Sequence, residues 1–160
     1  MTSQPRIVHT QPNGIAALVI PCLGQPGGPE SLEEVIAQAV PEGEEYFICD
    51  HEDLPDERLL RDAWVCDCKA KTVTVNMNRA KQQVHEARRR ARNTAMYPLD
   101  MAIAAKIPGA TPEEVEEKRQ EIRDHCAAVQ TAIEEATTPA ELVQICIDEN
   151  FMLLECDFDD

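Results

Sequence analysis

Aromatic side chains are scarce in this 160-residue chain: three Phe, two Tyr and one Trp, 4% of the total. Any core must therefore be built mainly from aliphatic and small side chains. No run of about eighteen apolar residues occurs, so no segment is expected to span a membrane. Met1 to His9 lacks the basic-then-apolar order of a signal peptide. Positive charge is in short supply: 15 Lys and Arg stand against 30 Asp and Glu, for a net charge of −15. That balance argues against a general electrostatic grip on nucleic acid or on an anionic membrane. A phosphate-cradling glycine motif is missing too, because Gly24, Gly27 and Gly28 lie among prolines and open no P-loop Lys-Ser/Thr. No Ser or Cys can be assigned to His85 as an activated nucleophile, and His9, His51 and His125 are equally isolated in the sequence. The expectation is a protein with no catalytic residues and no cofactor, and not an enzyme.

What is present is a globular share of hydrophobic residues, 43%, and seven Cys. An odd count without a secretion signal reads as reduced thiols in a cytosolic setting. Charge is unevenly spread. Residues 1–76 hold 5 basic and 13 acidic side chains, residues 77–110 hold 7 and 2, and residues 111–160 hold 3 and 15. A basic segment thus lies between two acidic ones. It can pair with an acidic neighbour inside the fold, or dock on an external acidic partner.

Residues 1–76 read as a small, β-rich docking domain. Arg6–Thr10 is a β-type run, Pro12-Asn13-Gly14 a hairpin turn in which Asn-Gly favours positive φ at both positions, and Ile15–Ile20 the return strand. Ser31 with Glu34 forms a capping box for a helix carrying Leu32, Val35, Ile36 and Ala39. Glu45–Asp50, Arg61–Cys66 and Thr72–Val75 read as three further strands, with antiparallel pairing favoured. Trp64 reads as a core anchor rather than a partner hot spot.

Residues 77–147 read as a helical hairpin plus a short helix. A helix capped by Asn78 has apolar positions at Ala80, Val84, Ala87, Ala91 and Ala95, with Arg88, Arg89, Arg90 and Arg92 placed opposite. Pro98 is expected to kink it, with Leu99, Ile103 and Ile107 continuing the stripe. Thr111-Pro112 with Glu114 starts an acidic helix bearing Val115, Ile122, Cys126, Val129, Ile133 and Ala136. Laid antiparallel, the two helices would set acidic beside basic. Thr138-Pro139 with Glu141 starts the last helix, and Asp148–Asp160 is an acidic tail with embedded Phe151, Leu153, Leu154 and Phe158. The fold class expected is α+β: a small antiparallel sheet domain with one helix, then the hairpin and a short helix. Residues Arg88, Arg89 and Arg92 on the basic helix, and Phe151 and Phe158 in the tail, are the candidate partner-binding side chains.

Cys66-Asp67-Cys68, with Cys49 and His51 nearby, could hold zinc, although structural zinc usually uses Cys-x2-Cys spacing. The thiols are read as small apolar residues, with a zinc-binding regulatory module as the alternative from a different class.

One stretch carries a resemblance. Asp53-Leu54-Pro55-Asp56 leads to Arg61-Asp62-Ala63-Trp64, then to Val75-Asn76-Met77 and a basic helix containing His85. The opening Arg6-Ile7-Val8-His9-Thr10-Gln11-Pro12-Asn13-Gly14 and the late Thr137-Thr138-Pro139-Ala140-Glu141-Leu142 extend it. This pattern resembles a family of small bacteriophage proteins associated with tail-fibre and tail-tip genes, with Asn76 in place of the usual Asp. The resemblance implies a structural or assembly role in a phage tail, at tip, baseplate or fibre, through contacts with other tail proteins and self-association. The implied location is the virion tail or the host cytoplasm during assembly. An assembly chaperone absent from the mature virion is the variant of that reading.

Overall fold

The computed structural model describes residues 5–104 and 111–151. They form an α+β protein whose chain divides into two compact units, Met1–Asn76 and Met77–Asp160.

In the first unit β1 (Arg6–Thr10) and β2 (Ala16–Val19) pair antiparallel, with Thr10 opposite Ala16. Their turn differs from the expected Asn-Gly form. Only Gly14 takes positive φ, at 77°. Its N–H donates to the Gln11 carbonyl at 2.8 Å, and the Gln11 N–H donates to Ile15 at 2.8 Å. This is a three-residue loop closed by a left-handed glycine. Pro12 is the cause: a two-residue Asn13-Gly14 turn needs the N–H of residue 12 to close on Ile15, and proline has none, so Gln11 donates instead. Asn13 Oδ1 accepts the Ile15 N–H at 3.0 Å.

Helix α1 (Leu32–Ala39) is capped by Ser31, whose hydroxyl accepts the Glu34 N–H. The Glu34 carboxylate returns to the N–H of Glu30 rather than to that of Ser31, so the box is displaced by one residue. Strand β3 (Tyr46–Cys49) then lies antiparallel on the far side of β1, giving the sheet order β2-β1-β3. Arg61–Ala63, expected to begin a strand, instead closes a 3₁₀ segment, Arg58–Ala63. The segment is two short turns that meet in a kink at Leu60, φ −99° and ψ 22°, and Leu60 and Ala63 are both fully buried. Strand β4 starts at Trp64 (Trp64–Asp67) and pairs antiparallel with β5 (Thr72–Val75).

Strand β1 is buried on both faces. Ile7 packs with Val35 and Val40 beside α1, whereas Val8 joins Phe47, Leu54, Trp64 and Val73 in the larger cluster. Trp64 is 1% exposed, which makes it the centre of this core.

The second unit contains α2 (Met77–Ala104), α3 (Pro112–Glu135) and α4 (Pro139–Asp148). Helix α2 begins two residues before the expected start, so Asn78 lies inside its first turn instead of capping it. It runs through Pro98. Thr111 with Glu114, and Thr138 with Glu141, form complete reciprocal capping boxes at α3 and α4. The core draws Ala80, Val84 and Ala87 from α2, Val115, Val129 and Ile133 from α3, and Leu142 and Cys146 from α4. Burial pushes the Cys146 thiol up to about 11. The turn around Ile107–Ala110, and Leu153, Leu154 and Phe158 of the tail, lie outside the described residues.

Candidate functional site: an apolar groove where the last helix ends

The α2 stripe is apolar along its length but not buried along its length. Ala80, Val84 and Ala87 are covered, whereas Ala91 and Ala95 are exposed. The reason is a length mismatch. Helix α4 has 10 residues and α3 has 24, or ~15 Å against ~36 Å at the helical rise. The short helix covers one end of the α2–α3 seam and then stops. Alanines on one wall leave the remainder unfilled, because their methyl groups cannot reach the facing helix.

The result is a groove of ≈ 390 Å³, lined by apolar atoms for the most part. Ala91 and Ala95 form one wall, and Ile122, Cys126 and Val129 the facing one. Phe151 closes the end nearest α4. Its position follows from the local backbone. Asn150 adopts a left-handed conformation, φ 49°. The Asn150 N–H donates to Ile147 at 3.1 Å, and the Phe151 N–H to Cys146 at 2.9 Å. This is the Schellman arrangement, which reverses the chain past a helix end. It turns Phe151 back onto the bundle.

The polar rim has two parts. Arg88 and Arg92 stand on the α2 side, with Glu121 on α3 and Glu149 after α4. Glu149 accepts a hydrogen bond from His125 Nε2 at 2.6 Å. Arg88 Nη1 donates to the Cys126 carbonyl at 3.0 Å, while its buried Nε has no partner. Arg92 makes no ion pair with a described residue. The groove therefore offers apolar surface with guanidinium donors on the α2 side and the carboxylates of Glu121 and Glu149 on the rest of its rim.

Of the five candidate partner-binding residues, Arg88, Arg92 and Phe151 come together here. Arg89 does not: it points to solvent and pairs with Glu86 at 3.9 Å. Phe158 lies outside the described residues. Arg88 and Arg92 were expected opposite the alanine stripe; they border it instead, as residues one position from Ala87 and Ala91 on a helix can. The expected basic-to-acidic pairing between hairpin arms is also corrected. Among the described residues, the ion pair that crosses the hairpin joins Asp100 of α2 to Arg119 of α3 at 3.3 Å, with the charges reversed. Lys81 donates to the Glu134 carbonyl at 2.7 Å, and the acidic side chains of α3 pair largely within their own helix. Arg123, for example, holds Glu116. His85, half-buried beside this seam, is held below the usual histidine range by burial and then by the Arg88 charge, against a smaller opposing pull from Glu134.

Sequence reasoning missed His125, Glu149 and Ile122 as groove residues. The legible signal was the shortness of the last helix relative to its neighbours.

The thiols of the first unit do not assemble as a metal site. Among the described residues, no three His, Cys, Asp or Glu side chains converge as metal ligands. His51 Nε2 accepts from Arg58 at 3.2 Å. Cys66 Sγ contacts Thr10 Oγ1 at 3.1 Å, and Cys68 Sγ donates to the Glu45 carbonyl at 3.3 Å. Among the described residues no helix is long and apolar enough to cross a membrane. Comparison with protein-family models, with curated proteins and with solved structures finds no match.

Proposed function

We propose that the protein is a non-enzymatic docking component of a tailed bacteriophage, which engages tail-tip, baseplate or fibre proteins through the α2–α3 groove. The observation that carries the docking role is the uncovered half of the seam, with Ala91, Ala95 and Ile122 in a groove bordered by Arg88 and Arg92. Its occupant is an amphipathic helix of the partner that continues the path of α4, its apolar stripe on the alanines and its carboxylates toward the two arginines. Helix-in-groove recognition has this form: shape and apolar anchors supply affinity, and charge sets register. The phage setting is supported by the sequence resemblance of residues 6–147 alone.

The test is native mass spectrometry of the chain co-expressed with phage tail-tip and fibre subunits, beside variants Ala91→Glu and Arg92→Glu. A complex with a tail subunit that both variants lose, while keeping the wild-type melting temperature, is the expected result. Its retention in purified particles would make the protein a virion part, and its absence there an assembly factor. If the chain captures no tail subunit, or only forms homo-oligomers that Ala91→Glu disperses, the heterologous docking role is wrong.

A further inference from the structure

Cys66 and Cys68 lie in the first unit, away from the groove residues in sequence and in function. Cys66 is on β4 and Cys68 follows the strand's last residue, Asp67. Residues two apart on a strand point to the same side. Both line a single open cleft of ≈ 480 Å³ with Thr10, Glu45 and Lys69. Two residues of extended strand span roughly 6.6 Å, at the upper edge of the ~4.4–6.8 Å over which a disulfide can form. The chain turns at Cys68, since Asp67 Oδ1 accepts the N–H groups of Lys69 and Ala70, each at 2.9 Å. The two side chains are close enough to share a hydrogen bond, Cys68 with Cys66. The sulfurs are also the ends of two tethers. Cys66 meets Thr10 of β1, and Cys68 donates to the Glu45 carbonyl just before β3.

We propose that Cys66 and Cys68 are a redox modification site, closing reversibly to an intramolecular disulfide by exchange with a low-molecular-weight disulfide of the glutathione class. The thiolate of Cys68 attacks one sulfur of the small disulfide. The small disulfide's S–S bond breaks and its second sulfur leaves as a thiolate, which takes up a proton. The Cys66 thiolate then attacks the Cys68 sulfur of the mixed disulfide, and the second small thiol departs. Two protein thiols are oxidised and one small disulfide is reduced to two thiols, so electrons and protons balance. Closure removes the proton that Cys68 shares with Glu45 and redirects Cys66 away from Thr10. Both sulfur contacts from the β4–β5 hairpin to the three-stranded sheet are thereby lost, while the apolar packing of Trp64 and Val73 with Val8 and Phe47 stays. Burial, followed by the neighbouring Cys66, holds the Cys68 thiol above its usual range. Exchange therefore quickens as the pH rises, because thiolate is the attacking species.

The experiment treats the full chain with glutathione disulfide and follows it by intact mass and peptide mapping, beside Cys66→Ser and Cys68→Ser. The expected wild-type product lacks two hydrogens in the peptide that spans both residues, and excess reduced glutathione restores it. Cys66→Ser should hold a lasting glutathione adduct at Cys68, since the resolving thiol is gone. A lasting adduct at Cys68 in the wild type overturns the proposal. So does a bridge from Cys49 to either residue, or no change at Cys66 and Cys68 while exposed Cys22 reacts.

Discussion

The two units solve the same packing problem with different material. The first packs large side chains around one short strand: Ile7 and Val8 face opposite layers, and Trp64, Phe47 and Leu54 fill the space around Val8. The second spends alanine at its closest helix contact, and its stripe is buried only as far as α4 reaches. A core filled by bulky residues leaves little to bind with. A seam walled by methyl groups gains close approach but buries little area per residue, and leaves a trough wherever a third helix is missing. The comparison teaches that bulky packing and an open alanine-walled seam are allotted to different halves of this chain.

The largest expected effect tests the first half of that contrast. Trp64→Ala should destabilise the first unit by about 3–5 kcal/mol, read as lost near-ultraviolet ellipticity and a lowered thermal midpoint. An unchanged melt would mean that the β-rich unit does not depend on its one large anchor. The second experiment divides the alanine stripe. Ala87→Glu, at a position 3% exposed, should cost ~2 kcal/mol or more by placing a charge without a partner in the bundle. Ala91→Glu, one turn on at an exposed site, should leave the melt within ~0.5 kcal/mol. Equal melts for the two variants would erase the boundary between covered and open seam.

Smaller effects sharpen the helical half. Thr138→Ala removes the hydroxyl that accepts the Glu141 N–H at 3.3 Å and should cost about 1 kcal/mol in helix-monitored unfolding. His85 gives a pH dependence. Its folded-state range is depressed from 6.5, by burial first and Arg88 second, so the folded unit favours neutral imidazole. The stability this contributes is present above pH 6.5 and is lost as the pH falls through the lower folded value. His85→Gln should flatten the decline below pH 6.5 in a series of melts, and an unaltered slope would assign that decline to other groups.

Much of this architecture could be read in the residues. The capping boxes at Thr111 and Thr138 are written in four consecutive positions and depend on no distant contact, so they fall where expected. Strands Arg6–Thr10 and Thr72–Val75 carry their own β-branched pattern. What was not legible depends on geometry between segments. Arg61–Ala63 resembles a strand start because Trp64 and Val65 follow it, yet the chain there turns tightly after a kink at Leu60, with Leu60 and Ala63 both buried. In the Pro12-Asn13-Gly14 turn, the Asn-Gly signal competes with a proline that forbids it. The groove itself was hidden by a stripe whose periodicity says which face is apolar, but not how far along it a third helix extends. The candidate residues Arg88, Arg92 and Phe151 were visible as charge and tail aromatic; that they share one trough needed the Asn150 reversal.

Pro98 has a consequence for time as well as shape. It carries no N–H, so the Thr94 carbonyl one turn earlier loses its helical donor and meets the proline ring instead. Helix α2 is continuous in outline, from Met77 to Ala104, but its hydrogen-bond ladder has a missing rung after the buried residues end. Leu99–Ala104 are therefore expected to exchange their amide hydrogens for deuterium well before Ala80–Ala87, whose opening requires the packed seam to part. One helix by appearance should behave in solution as two cooperative segments, with the joint beyond Ala95 of the open groove.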